Sequence, residues 1–157
     1  MRTPRIYLET TIFNFVFADD APEKRDCTLT LFEEIKQGKY MPFTSAYALD
    51  EINNASEPKR TKLFKLLEKY NVIQIKINEK VEQLAEAYIK EGIIPVKYAT
   101  DASHIAAASV ADMDFIVSWN FKHIVKRKTI LMTELINYKE GYKRVGIHSP
   151  LEVIEHD

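Results

Sequence analysis

Ile6-Tyr7-Leu8-Glu9-Thr10-Thr11 is the stretch on which the fold turns. Three apolar residues run into an acid and two threonines, which reads as a short buried strand feeding directly into a helix start. Ile12, Phe13, Phe15, Val16 and Phe17 then predict a short, very apolar helix, suited to the core or a dimer surface. Asp19-Asp20-Ala21-Pro22 breaks it.

The alternation continues along the chain. Residues 25–37 carry Leu29, Leu31, Phe32 and Ile35 at helical spacing, with Gly38 as a stop. Residues 40–44 predict a second strand, and Ser45 an N-cap for a helix through Ala46, Leu49 and Ile52. Pro58 is expected in the first turn of the next helix, whose face is Leu63, Phe64, Leu66, Leu67 and Tyr70. A third strand is expected at 72–75, followed by a helix capped by Asn78 and closed by Gly92. The Ala-rich helix at 101–111 should lie close against a sheet. A fourth strand is expected at 115–118, a tight turn at 120–124, a helix at 131–142 and a last short strand at 144–147. Strands alternating with helices throughout predict a single α/β domain over residues 1–157. It should be a three-layer α/β/α sandwich around a mostly parallel sheet of about five strands.

The 157 residues suffice for one domain that buries roughly 70% of its unfolded surface. A net charge of -1 excludes a body that binds nucleic acid by overall charge, so any such contact needs a local patch or bound cations. Cys27 is the single cysteine, which excludes an intrachain disulfide and a cysteine zinc site. No stretch approaches the ~20 apolar residues of a membrane span, and the opening residues lack a signal-peptide core. A cytoplasmic protein that engages no membrane is expected.

In parallel sheets of this kind, ligands bind beyond the carboxyl ends of the strands, where strand order reverses. Glu9 ends the first strand. Thr44-Ser45 ends the second and leads to Asp50-Glu51, of which Glu51, preceding apolar Ile52, is preferred to a solvated Asp50. Asp101 opens the helix before the fourth strand, and Ser118-Trp119-Asn120 follows that strand. Asp112 and Asp114 precede it and belong at the opposite end of the sheet. His104, one helical turn after Asp101, reads as a hydrogen-bonded structural histidine on the same face.

Taken together these segments resemble the PIN-domain family. Tyr7-Leu8-Glu9-Thr10-Thr11-Ile12-Phe13-Asn14 is similar to its opening motif and Thr44-Ser45 with Glu51-Ile52 to its second. Asp101-Ala102-Ser103-His104-Ile105-Ala106 is similar to its third, Ser118-Trp119-Asn120-Phe121-Lys122-His123 to its fourth, and residues 149–154 to a frequent closing segment. The resemblance implies strand order 3-2-1-4-5 and a ribonuclease that hydrolyses RNA phosphodiesters with water activated on Mg²⁺ or Mn²⁺. It extends to toxin components of toxin–antitoxin pairs, and so implies a small antitoxin protein as partner and a homodimer or higher homo-oligomer. A domain of this family that binds RNA or protein without cutting is the alternative.

Carried over, the catalytic set is Glu9, Glu51, Asp101 and Asn120, with Glu9, Glu51 and Asp101 as metal ligands. An open ring of carboxylates suits a hard cation that keeps several waters. The family usually has Asp at the first and fourth positions, where this chain has Glu9 and Asn120. An amide oxygen can ligate but brings no charge, which implies one well-formed metal site and a weakened second. Thr10, Thr11 and Ser45 suit either orienting metal-bound waters or capping helices, and Ser118 suits hydrogen-bonding the ligands. Lys122, Lys126, Arg127 and Lys128, beside His123, form the one basic run, fit for phosphate contact or for a solvated face.

Overall fold

In the computed structural model, which describes residues 2–156, Ile6, Tyr7 and Leu8 are all without exposed surface. They belong to β1 (Arg5–Leu8), the central strand of a five-stranded sheet. The others are β2 (Met41–Ser45), β3 (Ile73–Ile75), β4 (Phe115–Val117) and β5 (Gly146–His148). Their order is β3-β2-β1-β4-β5 and every pairing is parallel. The expected sandwich and strand order are therefore present, with an all-parallel sheet.

Side chains that alternate along β1 serve two cores. Tyr7 joins Phe43, Ile116 and Ile147 beneath α5 (Glu79–Lys90), α6 (Ala99–Val110) and α7 (Arg127–Lys139). Ile6 and Leu8 join the opposite layer of α1 (Thr10–Asn14), α2 (Pro22–Lys36), α3 (Ala46–Asn53) and α4 (Lys59–Lys69). The short α8 (Pro150–Val153) opens on a Ser149–Glu152 capping box. Ala102, Ala106, Ala107 and Ala108 are completely buried, as expected of a helix set close to the sheet. Asn78 caps α5 through Val81 N–H at 3.1 Å.

Several expected boundaries shift. Pro22 starts α2 rather than only ending the preceding segment, since a proline at N1 gives up no helical hydrogen bond. Pro58 precedes α4 rather than lying within its first turn. The helix expected at 131–142 begins at Arg127 and ends at Lys139. The last strand lies at 146–148 rather than 144–147. The apolar segment after β1 divides into α1 and a 3₁₀ turn at Phe15–Phe17; Phe13 is core, whereas Phe17 is exposed. No helix among the described residues is long and apolar enough to cross a membrane.

Candidate functional site at the carboxyl edge

Strand order reverses on either side of β1, and the crevice between β1 and β4 is where sheets of this topology place ligands. Glu9 follows β1 and Ser118 follows β4. The Ser118 hydroxyl donates to Glu9 Oε1 at 2.6 Å, and Thr11 Oγ1 donates to the same oxygen at 2.5 Å. Glu9 stands at the N-cap position of α1 but makes no side-chain cap bond, so helix capping does not account for its carboxylate. Burial raises its pKa above the ordinary value; favourable interaction with His104 and the bonds from Ser118 and Thr11 oppose that shift, and the charge of Glu51 adds to it.

The helix that Ser45 caps brings in Glu51. Its Oε1 accepts from Thr10 Oγ1 at 2.8 Å and lies 2.6 Å from His104 Nε2. Desolvation works against the Glu51 charge, although 41% of its side chain is exposed, but the bond to His104, its charge and the Thr10 hydroxyl outweigh it and lower the pKa. Asp50, the competing acid, is likewise exposed; the contacts with Thr10 and His104 are what single out Glu51. Asp101 lies in the first turn of α6. Its pKa is raised, chiefly by burial and with a contribution from Glu51, against the pull of His104, His123 and the Asn120 side chain. Glu51 thus acts electrostatically on both other acids.

Asn120 joins the loop to this group. Its N–H donates to Ser118 Oγ at 2.9 Å, and its Oδ1 accepts His123 N–H at 2.9 Å to close the turn after β4. Asp114 accepts from Arg5 N–H at the start of β1, confirming that it lies at the far end of the sheet.

No protein-family model matches the chain, and no curated protein matches it significantly.

Carboxylate oxygens are the donor type that a hard cation takes. Three carboxylates gather at one sheet edge, and the hydroxyl bonds to Glu9 and Glu51 use Oε1 in each, not Oε2. The well-formed three-ligand site is not present as such. Among the described residues, no three His, Cys, Asp or Glu side chains come together closely enough to hold a metal ion. Each carboxylate is tied instead to its own hydroxyl, imidazole or amide neighbours.

Of the hydroxyls singled out from the sequence, Thr10, Thr11 and Ser118 contact the carboxylates directly. Ser45 does not: it accepts Tyr47 N–H as a helix cap and meets Tyr7 OH at 2.6 Å. In the basic run, Lys122 Nζ stands 5.7 Å above the Tyr98 ring, and Lys126 and Arg127 are exposed at the start of α7. Lys128 donates to Gly92 O at 3.0 Å, so its ammonium is anchored at the end of α5.

Two residues have contacts that the sequence did not reveal. Tyr7 reads as one apolar residue among three, yet its hydroxyl is fully buried and bonded to both Ser45 and His104. A tyrosine where a plain hydrophobe would fill the strand is the signal, because a buried phenol needs a partner. His123 stacks on Tyr98 with ring centroids 4.0 Å apart, and its buried Nε2 has no partner among the described residues.

Proposed function

We propose that this chain is a divalent-metal-dependent endoribonuclease of PIN-domain type. The observation that carries the reading is the bond from Ser118 to Glu9 across the strand-order reversal, with Glu51, Asp101 and Asn120 on the same edge. Glu9, Glu51 and Asp101 would hold Mg²⁺ or Mn²⁺. The bound ion would supply a polarised phosphoryl oxygen and a water of lowered pKa. The chain's own part is to hold the carboxylates in place: Thr11 and Ser118 fix Glu9, and Thr10 and His104 fix Glu51. Asn120 orients the loop beside Asp101. Lys122, Lys126 and Arg127 flank that loop and would contact the RNA backbone. A cation is disfavoured at a helix N-terminus, yet the first turn of α7 has no acid to offset Arg127, which leaves this end open to phosphate.

A second reading has one observation in its favour. Without a ready three-carboxylate cluster, the domain would bind RNA or a protein without cutting. A small antitoxin protein and a second copy of the chain are the partners that the toxin form of the first reading implies.

Labelled single-stranded RNA incubated with the pure protein and Mn²⁺ or Mg²⁺, with EDTA as control, separates the two. Metal-dependent cleavage that Glu51→Gln and Asp101→Asn both abolish supports the nuclease. RNA binding without cleavage supports the second reading, and absence of both metal and RNA binding removes the first.

A further inference from the structure

Hydrophobic pattern and burial part company on α7. Thr129, Thr133, Ile136 and Asn137 form its buried side, while Leu131, Leu135 and Tyr138 are 46%, 69% and 87% exposed. Single exposed hydrophobes are ordinary, but a stripe of them along one helix marks a contact surface. Their spacing of four and then three residues is the d-a-d step of a heptad. Two hollows border the stripe. One of about 550 Å³ is lined by Leu131, Leu135, Tyr138 and Tyr142, together with Glu134 and Arg144. The other, of about 210 Å³, lies between α5 and α7 at Ala87, Met132 and Leu135. Leu135 therefore stands between two recesses, as a knob does beside its holes.

Charge decides what the stripe fits. Along a helical seam the e and g positions choose the partner and its direction. Here they hold Lys139 and Glu134. With a second copy set parallel and in register, each seam residue meets its counterpart and each Glu134 faces the partner's Lys139. Two-fold symmetry makes that pair twice. The antiparallel register that stacks Leu135 on Tyr138 instead sets Glu134 against Gly141 and Lys139 against Met132, with no ion pair. Lys128, at the preceding a position, would meet its own copy, but its ammonium is drawn aside to Gly92 O at 3.0 Å. Glu134 Oε1 lies 3.8 Å from Arg144 in an exposed pair of little strength, which leaves Oε2 for the partner's lysine.

We propose that α7 is a dimerisation helix, on which two copies of the chain pair in parallel along Leu131, Leu135 and Tyr138, with each Glu134 bonded to the partner's Lys139. This gives a surface to the second copy that the toxin form of the nuclease reading implies, but it stands on the α7 face alone. A seam this short makes a small interface, so association in the micromolar range is expected.

Sedimentation equilibrium of the full chain over that range tests it, with circular dichroism to show that each variant folds. Wild type should be a concentration-dependent dimer, and Leu135→Glu a monomer with the wild-type spectrum. Glu134→Lys and Lys139→Glu each turn two attractions into repulsions and should weaken association about tenfold. Mixed together, they should form a heterodimer tighter than either homodimer, because both cross-pairs are then opposite in charge. The double variant should dimerise like wild type. A monomeric wild type overturns the proposal, as does a dimer indifferent to Leu135→Glu. Charge variants that associate like wild type, or show no preference for each other when mixed, overturn the parallel pairing and the proposal with it. A monomer that binds phosphatidylglycerol vesicles, and loses them in Leu135→Glu, would give this face to a membrane instead. None of these residues belongs to the carboxyl edge, so every such failure leaves the RNA cleavage test standing.

Discussion

Ser118 and Glu9 lie 109 residues apart in the chain and are joined by a 2.6 Å hydrogen bond that ties the end of β4 to the end of β1. The bond holds a carboxylate with only 3% of its surface exposed in the crevice between those strands. Burial is the dominant influence on it; the attraction of His104 and the bonds from Ser118 and Thr11 only partly offset that, so the folded-state pKa is raised.

Glu9→Gln should therefore stabilise the protein at neutral pH. A raised folded-state pKa means that the native state binds the proton more tightly than the unfolded state. Stability then falls as pH rises from the ordinary value of 4.5 through the raised one. Glutamine removes that dependence, while the Thr11 and Ser118 hydroxyls can turn to suit an amide. At pH 7.5 the variant should melt about 2–4 °C higher, the shift that ~1 kcal/mol produces in a domain of this size. The gain should vanish below pH 4.5. Melts from pH 4 to 8 check this, and a variant less stable than wild type at pH 7.5 contradicts it. Added Mn²⁺ should raise the wild-type melting temperature and leave that of the variant nearly unchanged.

Thr11 tests the same carboxylate from the other side. Its hydroxyl donates to Glu9 and accepts the Trp119 N–H at 2.8 Å, so one oxygen links the start of α1 to the loop after β4. Thr11→Ala leaves a part-buried N–H and a buried carboxylate each short of a partner, costing about 1–3 kcal/mol. Thr11→Ser should keep most of that. Urea unfolding of the pair is the measurement; equal losses would show that the methyl group, not the hydroxyl, matters.

Much of the fold was legible because each strand is a short apolar run and the helix caps are written locally, as at Ser45 and Asn78. The start of α7 was not, and the reason is physical. Its buried face is Thr129, Thr133, Ile136 and Asn137, whereas Leu131, Leu135 and Tyr138 are exposed. Hydrophobic periodicity therefore marks the wrong side of this helix. Asn137 is buried with its amide satisfied: Tyr88 OH bonds its Oδ1 and Ser109 Oγ accepts its amide N–H, pairings made across 49 and 28 residues respectively. The candidate site divides in the same way. Acids at strand ends can be read from position, but the path Ser45–Tyr7–His104–Glu51 exists only once β1, β2, α3 and α6 pack together.

The Ala-rich face of α6 offers a test of the fold alone. Ala106 has no exposed surface and lies in the core that includes Tyr7 and Ile116. A larger side chain there has to push the helix off the sheet. Ala106→Leu should cost about 1–3 kcal/mol by overpacking, read as a lower urea midpoint with an unchanged slope. A variant as stable as wild type would mean that the helix sits farther from the sheet than the structure has it.

Asn120→Asp bears on the cutting reading itself. The turn after β4 needs Asn120 Oδ1 as acceptor for His123 N–H, and aspartate supplies the same oxygen. The substitution therefore keeps the loop while adding a fourth negative charge beside Asp101, whose charge is already disfavoured by burial and by Glu51. Without divalent ions, like-charge repulsion should lower stability. With them, the extra carboxylate should raise Mn²⁺ affinity and increase RNA cleavage most at low metal concentration. Paired melting and cleavage titrations read both effects. A stability loss that Mn²⁺ does not reverse, or cleavage unchanged across the metal titration, would show that position 120 lies outside any metal site, leaving Glu9, Glu51 and Asp101 to account for whatever activity the chain has.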